Sequence, residues 1–161
     1  MSQPGYAWWR LRARAGYLLA RGLMRWPAVA RQPRLWHWME GQFARMAALG
    51  DTPAQSFYGH MLLFRGQGMG ARNEGRRLLL LAAQGGDAKA AYQTGLLCLQ
   101  GNPQLAADAV AAAAWWTQAA TAGHPLAARR LADLYRAGAP GLPADAQRAE
   151  QMERRAAELG L

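Results

Sequence analysis

Three glycines at equal intervals constrain this chain more than any other feature. Each closes a stretch built on paired alanines. "LAAQGGD" reaches Gly86, "QAATAGH" reaches Gly123 and "RAAELGL" reaches Gly160, so 123 − 86 and 160 − 123 both equal 37. "MAALGD" adds Gly50, 86 − 50 = 36 residues earlier, with its alanine pair displaced by one position. The register holds inside the units as well. "QTGLLCLQG" (93–101) falls opposite "RLADLYRAG" (130–138), which pairs Cys98 with Tyr135 and Gly101 with Gly138, and Asp108 pairs with Asp145.

Each unit carries two helical patterns of about a dozen residues separated by a Gly/Pro-rich turn, and no segment alternates at period two. Paired helices recurring at this spacing predict an all-α chain, a right-handed α-solenoid of stacked antiparallel helical hairpins, in which each hairpin buries its faces against its neighbours. The breaks between units have local causes. In "DTPAQ" Thr52 is placed to cap a helix, with Pro53 in its first turn and Gln55 reaching back to the cap. At "GHP" Gly123 is placed to end one helix in the left-handed conformation, and Pro125 opens the next.

These residues resemble the Sel-one-like repeat family, relatives of the tetratricopeptide repeats. The family pattern of alanine, leucine-glycine, tyrosine and glycine, followed by aspartate, lysine-alanine, tryptophan, paired alanines and glycine, is matched by "LADLYRAG" with "DAQRAEQMERRAAELG". There Ala132 replaces glycine, Arg148 replaces lysine and Met152 replaces tryptophan. "TGLLCLQG" with "DAVAAAAWWTQAATAG" matches with Trp115 at the tryptophan position. The unit beginning "SFYGHMLLFRGQG" keeps Gly59, Gly66 and Gly68 but lacks the aspartate and has its glycine spacing off by one. The resemblance places three repeats at about 51–87, 88–124 and 125–161. It implies a non-enzymatic scaffold or adaptor that binds a protein or peptide in the groove of the repeats.

Residues 1–50 differ in chemistry. They hold eight arginines against Glu40 alone, 8 − 1 = +7, whereas residues 51–161 hold eleven basic and nine acidic groups, 11 − 9 = +2. Five of the seven tryptophans are here too. Wound at about 100° per residue, residues 7–26 set Arg10, Arg14, Arg21 and Arg25 within a sector about 60° wide. Trp8, Leu11, Ala15, Leu18, Leu19, Leu23 and Trp26 lie opposite, and Arg12 breaks the pattern. "PAVARQP" ends this helix, and a second helix follows with Leu35, Met39, Phe43 and Met46 on one face.

The segment therefore reads as a degenerate or capping hairpin whose tryptophans pack on the first repeat. Two alternatives compete with that reading. One is a basic face for an acidic protein or an anionic membrane surface. The other is a nucleic-acid contact, which no reading motif accompanies.

The residues give no catalytic, metal or cofactor site. His37, His60 and His124 fall in different hairpins with no ligand partners at metal spacing, and Cys98, the lone cysteine, reads as a core residue. "GQGMGARNEG" lacks the lysine and hydroxyl ending of a phosphate loop and reads as the turn within the first repeat. Arginines interrupt every candidate secretory leader, and no run of about 18 apolar residues exists, so the expected location is cytoplasmic, with a membrane periphery as the alternative. Candidate partner-binding residues are Trp116, set about 100° around the helix from Trp115, with Tyr92, Arg76, Arg77, Arg129 and Arg130.

Overall fold

The computed structural model describes residues 4–26, 28, 32–101 and 106–161. Eight helices account for nearly all of them: α1 (Pro4–Leu23), α2 (Pro33–Ala48), α3 (Thr52–Arg65), α4 (Gly68–Gln84), α5 (Ala88–Gln100), α6 (Ala109–Thr121), α7 (Pro125–Ala137) and α8 (Ala146–Glu158). No β-strand occurs among the described residues. Each helix packs on the next in chain order, with the tightest association inside the pairs α3/α4, α5/α6 and α7/α8. The result is the expected solenoid of stacked hairpins.

The 37-residue period of the sequence is also a period of backbone geometry. Gly50, Gly86, Gly123 and Gly160 all take positive φ, from 80° to 96°, at the ends of α2, α4, α6 and α8. There the following amide turns back to the helix: Asp87 N–H donates to Ala82 C=O, His124 N–H to Ala119 C=O and Leu161 N–H to Ala156 C=O, at 3.0, 2.9 and 3.1 Å. An L side chain resists this left-handed conformation, which explains why glycine recurs there. Within the hairpins, Asp108 N–H donates to Cys98 C=O (2.9 Å) and Asp145 N–H to Tyr135 C=O (2.8 Å), the same bond one period apart.

Alanine pairs form the seams between repeats. Ala82, Ala83, Ala90 and Ala91 are buried at one seam, and Ala119, Ala120, Ala127 and Ala128 at the next, with Leu79, Trp116 and Leu131 filling the space between. Polar links cross the same seam. Ser56 Oγ donates to Asp87 Oδ1 (2.9 Å), and the Gln118 amide donates to the Ala83 carbonyl.

Helix starts follow local chemistry with one displacement from expectation. α3 is capped by Asp51, which accepts from Ala54 N–H at 2.9 Å, so Thr52 and Pro53 both lie in the first turn. A carboxylate is a better acceptor for the exposed amides than a hydroxyl, and Gln55, freed from a capping role, donates instead to Ala47 C=O (3.2 Å). Asp87, Asp108 and Asp145 cap α5, α6 and α8 in the same way.

The Gly-rich stretch of the first repeat is corrected too. Only Gly66 and Gln67 link α3 to α4, and most of "GQGMGARNEG" is helical. Gly75 lies inside α4 because its face meets Gly59 of α3. A Cβ on Gly75 would stand 2.9 Å from Gly59 O and 2.8 Å from Leu63 N. Backbone approach this close accepts no larger residue.

In the N-terminal hairpin, Met39, Phe43 and Met46 are buried as the α2 periodicity predicts. The face of α1 that packs on them is not the predicted one. Tyr17 and Ala20 are buried, flanked by Ala13, Leu23 and Met24, and Tyr17 meets Phe43 and Phe57 edge-on at 6.0 and 6.5 Å between ring centroids. Of the expected apolar face only Leu23 joins this core, while Trp8, Leu11, Leu18, Leu19 and Trp26 are exposed, as is Trp9. The tryptophans of α1 therefore do not pack on the first repeat. A single Tyr on a helix line with small residues fits closely against α2, where the Gln42 side chain fills the space beside Gly16. The linking segment Pro27–Pro33 lies largely outside the described residues.

Candidate binding cleft

A cleft of about 300 Å³ opens where α4 of the first repeat meets α5 and α6 of the second. α4 contributes Arg76 and Leu80, one helical turn apart; α5 contributes Thr94, Leu97 and Cys98; α6 contributes Ala111 and Trp115. Asp108 borders the cleft but is already engaged, capping α6 through Ala111 N–H at 2.8 Å. The walls are mainly apolar. Leu80 is exposed, and Trp115 and Leu97 are half-buried, so their surfaces are available to a ligand.

Two polar atoms in these walls are unspent. Arg76 Nε and Thr94 Oγ1 are both buried, and neither has a hydrogen-bond partner among the described residues. Thr94 as a whole is only 6% exposed. Buried polar atoms are rarely left without partners, because desolvation without a hydrogen bond is unfavourable. Both belong to the same cleft, and together they offer a donor from the guanidinium and a hydroxyl that donates or accepts. The Cys98 thiol is pushed up from its ordinary value by burial and then by the nearby Asp108 charge, so it stays protonated and serves as wall.

Of the candidate partner-binding residues, only Arg76 lines this cleft, and Cys98, read from sequence as a core residue, forms part of its wall. Arg77 is exposed and held in a two-pronged pair with Glu74, Nε at 2.8 Å and Nη2 at 2.7 Å. Arg129 and Arg130 are exposed on α7 and do not line the cleft. Tyr92 is half-buried at the seam, its ring stacked on His124 with centroids 4.5 Å apart. Trp116 is corrected outright: it is 1% exposed and is the largest fully buried side chain. Its indole occupies the space beside Gly95 and donates from Nε1 to Tyr92 C=O at 3.1 Å, so it has no surface with which to anchor a partner. Trp116 is fully buried, whereas Trp115, half-buried against the same core, also lines the cleft.

Sequence reasoning missed Leu80, Thr94, Leu97 and Trp115 as cleft residues. The available signal was Gly95, which leaves room for one large ring from α6. Among the described residues no three His, Cys, Asp or Glu side chains gather as metal ligands, and no helix is long and apolar enough to cross a membrane.

The N-terminal hairpin gathers the basic candidates. Arg10, Arg14 and Arg25 are exposed on α1 and the turn after it, and Arg21 lies over the Phe57 ring at 5.4 Å while donating to the Tyr17 hydroxyl at 3.2 Å.

Comparison with known proteins agrees with this architecture. A protective antigen of uropathogenic Escherichia coli displaying an SLR fold superposes with a TM-score of 0.77 at 22% identity, over 92% of this chain; the chain spans 31% of that protein. A Sel1 repeat protein from Oxalobacter formigenes superposes with a TM-score of 0.65 at 29% identity, over 81% of this chain and 94% of that one. No curated protein matches by sequence. The Sel1 repeat pattern matches residues 52–87, 88–124 and 125–161, the three hairpins α3/α4, α5/α6 and α7/α8. Sel1 repeat proteins generally act as protein–protein interaction scaffolds, and with three matched repeats this chain belongs to that family.

Proposed function

We propose that the protein is a non-enzymatic adaptor that takes a short segment of a partner protein into the cleft between α4, α5 and α6. One observation carries the reading: an apolar cleft of side-chain size in which Arg76 Nε and Thr94 Oγ1 have no hydrogen-bond partner among the described residues. A partner backbone carbonyl or carboxylate satisfies the guanidinium, while an apolar side chain of the same segment packs among Leu80, Leu97 and Trp115. Such a pairing of one anchoring side chain with fixed polar groups is how peptide-binding surfaces obtain both affinity and orientation. The cleft spans two repeats, so binding also depends on how the first and second hairpins stack.

The test is a peptide-display selection on the intact chain, followed by titration of the enriched peptides against wild type, Leu80→Glu and Arg76→Met. Leu80 is on the surface, so its substitution leaves the core intact. The expected result is a shared apolar position in the peptides and binding weakened about tenfold or more by either substitution. Enriched peptides that bind all three proteins equally would place recognition elsewhere.

A further inference from the structure

α1 carries two apolar faces, and the hairpin uses only one. At about 100° per residue, the inward face centres on Tyr17 and Ala20. A second stripe, about 100° wide, holds Trp8, Leu11, Ala15, Leu18 and Leu19 and is turned to solvent. Trp8 is 61% exposed, Leu11 67%, and Leu18 and Leu19 58% each. The stripe from Trp8 to Leu19 runs for about 16 Å along the helix, and Trp26, in the turn that follows, is exposed as well. Arg10, Arg14, Arg21 and Arg25 border one edge. Arg12 borders the other, its guanidinium over the Trp8 and Trp9 rings at 5.7 and 5.6 Å. Among the described residues, none of these five arginines forms an ion pair with a carboxylate.

We propose that this outer face of α1 docks in the plane of an anionic phospholipid bilayer, with Trp8, Leu11, Leu18, Leu19 and Trp26 at the acyl boundary and the flanking arginines on the lipid phosphates. A bilayer surface is anionic at its plane and apolar immediately beneath it, which matches a straight apolar stripe with cations on both edges. Indoles favour this boundary because they are apolar bodies with one polar N–H. Other occupants match less. Nucleic acid satisfies the arginines but leaves the stripe in water. A second copy of the chain sets one arginine row against another. α1 packs on α2 through its inward face, and among the described residues Trp8, Leu11, Leu18 and Leu19 on its other side are exposed. The helix lies on the surface and does not cross it.

The experiment uses the full chain with two kinds of vesicle, phosphatidylcholine alone and phosphatidylcholine with phosphatidylglycerol at three to one. Co-sedimentation and tryptophan emission are read at low and high salt for wild type, for Arg10→Gln/Arg14→Gln/Arg25→Gln, and for Leu18→Ser/Leu19→Ser. All these positions are exposed, and circular dichroism checks that each variant keeps its helices.

The expected result is binding to the anionic vesicles with a blue shift, weakened by salt and roughly 100-fold weaker in the triple arginine variant. The serine variant, which keeps every charge, should lose the blue shift and most of the binding. Failure of wild type to bind anionic vesicles overturns the proposal, as does equal binding by the serine variant. So does a dimer in sedimentation that dissolves in the serine variant, or a preference for an oligonucleotide over the vesicles.

Discussion

Trp116 and Gly95 define each other. The indole lies where a Cβ on residue 95 would stand, and its N–H is tied to the Tyr92 carbonyl one turn earlier on the same helix. Gly95→Ala forces the ring or the α5/α6 spacing to shift, an overpacking cost of about 1–3 kcal/mol. Trp116→Ala leaves a cavity and costs about 3–5 kcal/mol. Because the two side chains compete for one space, Gly95→Ala is expected to be far less harmful in a Trp116→Leu background. A double-mutant cycle by urea denaturation measures this, and simple addition of the two penalties would show that the space is not shared. The third repeat has Ala132 and Glu153 at the equivalent positions, so the exchange of a glycine for a buried ring is private to the second hairpin.

Helix starts show how one role tolerates different chemistry. α3, α5, α6 and α8 begin on aspartates, whereas α7 begins on His124, whose Nδ1 accepts from Ala127 N–H at 3.3 Å. That bond needs the neutral imidazole. Burial first, then the Lys89 charge, holds the group below its ordinary 6.5, against a smaller opposing pull from Asp87. The folded state therefore releases this proton more readily than the unfolded one. The contribution of His124 is complete above pH 6.5 and is lost as pH falls from there through the depressed folded value. His124→Asn keeps an acceptor without titrating. Relative to that variant, wild type should lose stability as pH falls from 8 to 5, read from urea midpoints. A constant difference across that range would remove the titrating cap.

Elements of this kind were legible in the sequence because their causes are local: an acidic residue before a helix, a glycine after one, alanine pairs at fixed intervals. What escaped has non-local causes. The wheel of α1 holds two apolar stripes, and nothing within the helix says which one meets Tyr17's partners on α2 and α3. The burial of Trp116 was not legible because the residue that makes room for it, Gly95, lies 116 − 95 = 21 positions earlier. The cleft was legible only in Arg76, since three helices from two repeats form it.

At the scale of the molecule, helices pack mainly on their chain neighbours, so stability is close to a sum of hairpins and the seams between them. Removing residues 125–161 takes away α7 and α8 and uncovers Ala119 and Ala120, but leaves the packing of α1 to α4 on one another in place. Hydrogen exchange on the shortened chain is expected to show faster exchange in α5 and α6 and nearly unchanged protection in α3 and α4. Loss of protection throughout would mean that the chain folds as one indivisible unit.

The bonds that set the hairpin geometry come from the backbone. Asp108 to Cys98 and Asp145 to Tyr135 are the same link although cysteine and tyrosine share little chemistry. The frame is thus indifferent to what is mounted at that position, and Cys98 happens to wall the cleft. Position 98 separates shape from surface: a substitution there changes the wall of the cleft while the backbone link that holds the hairpin stays the same.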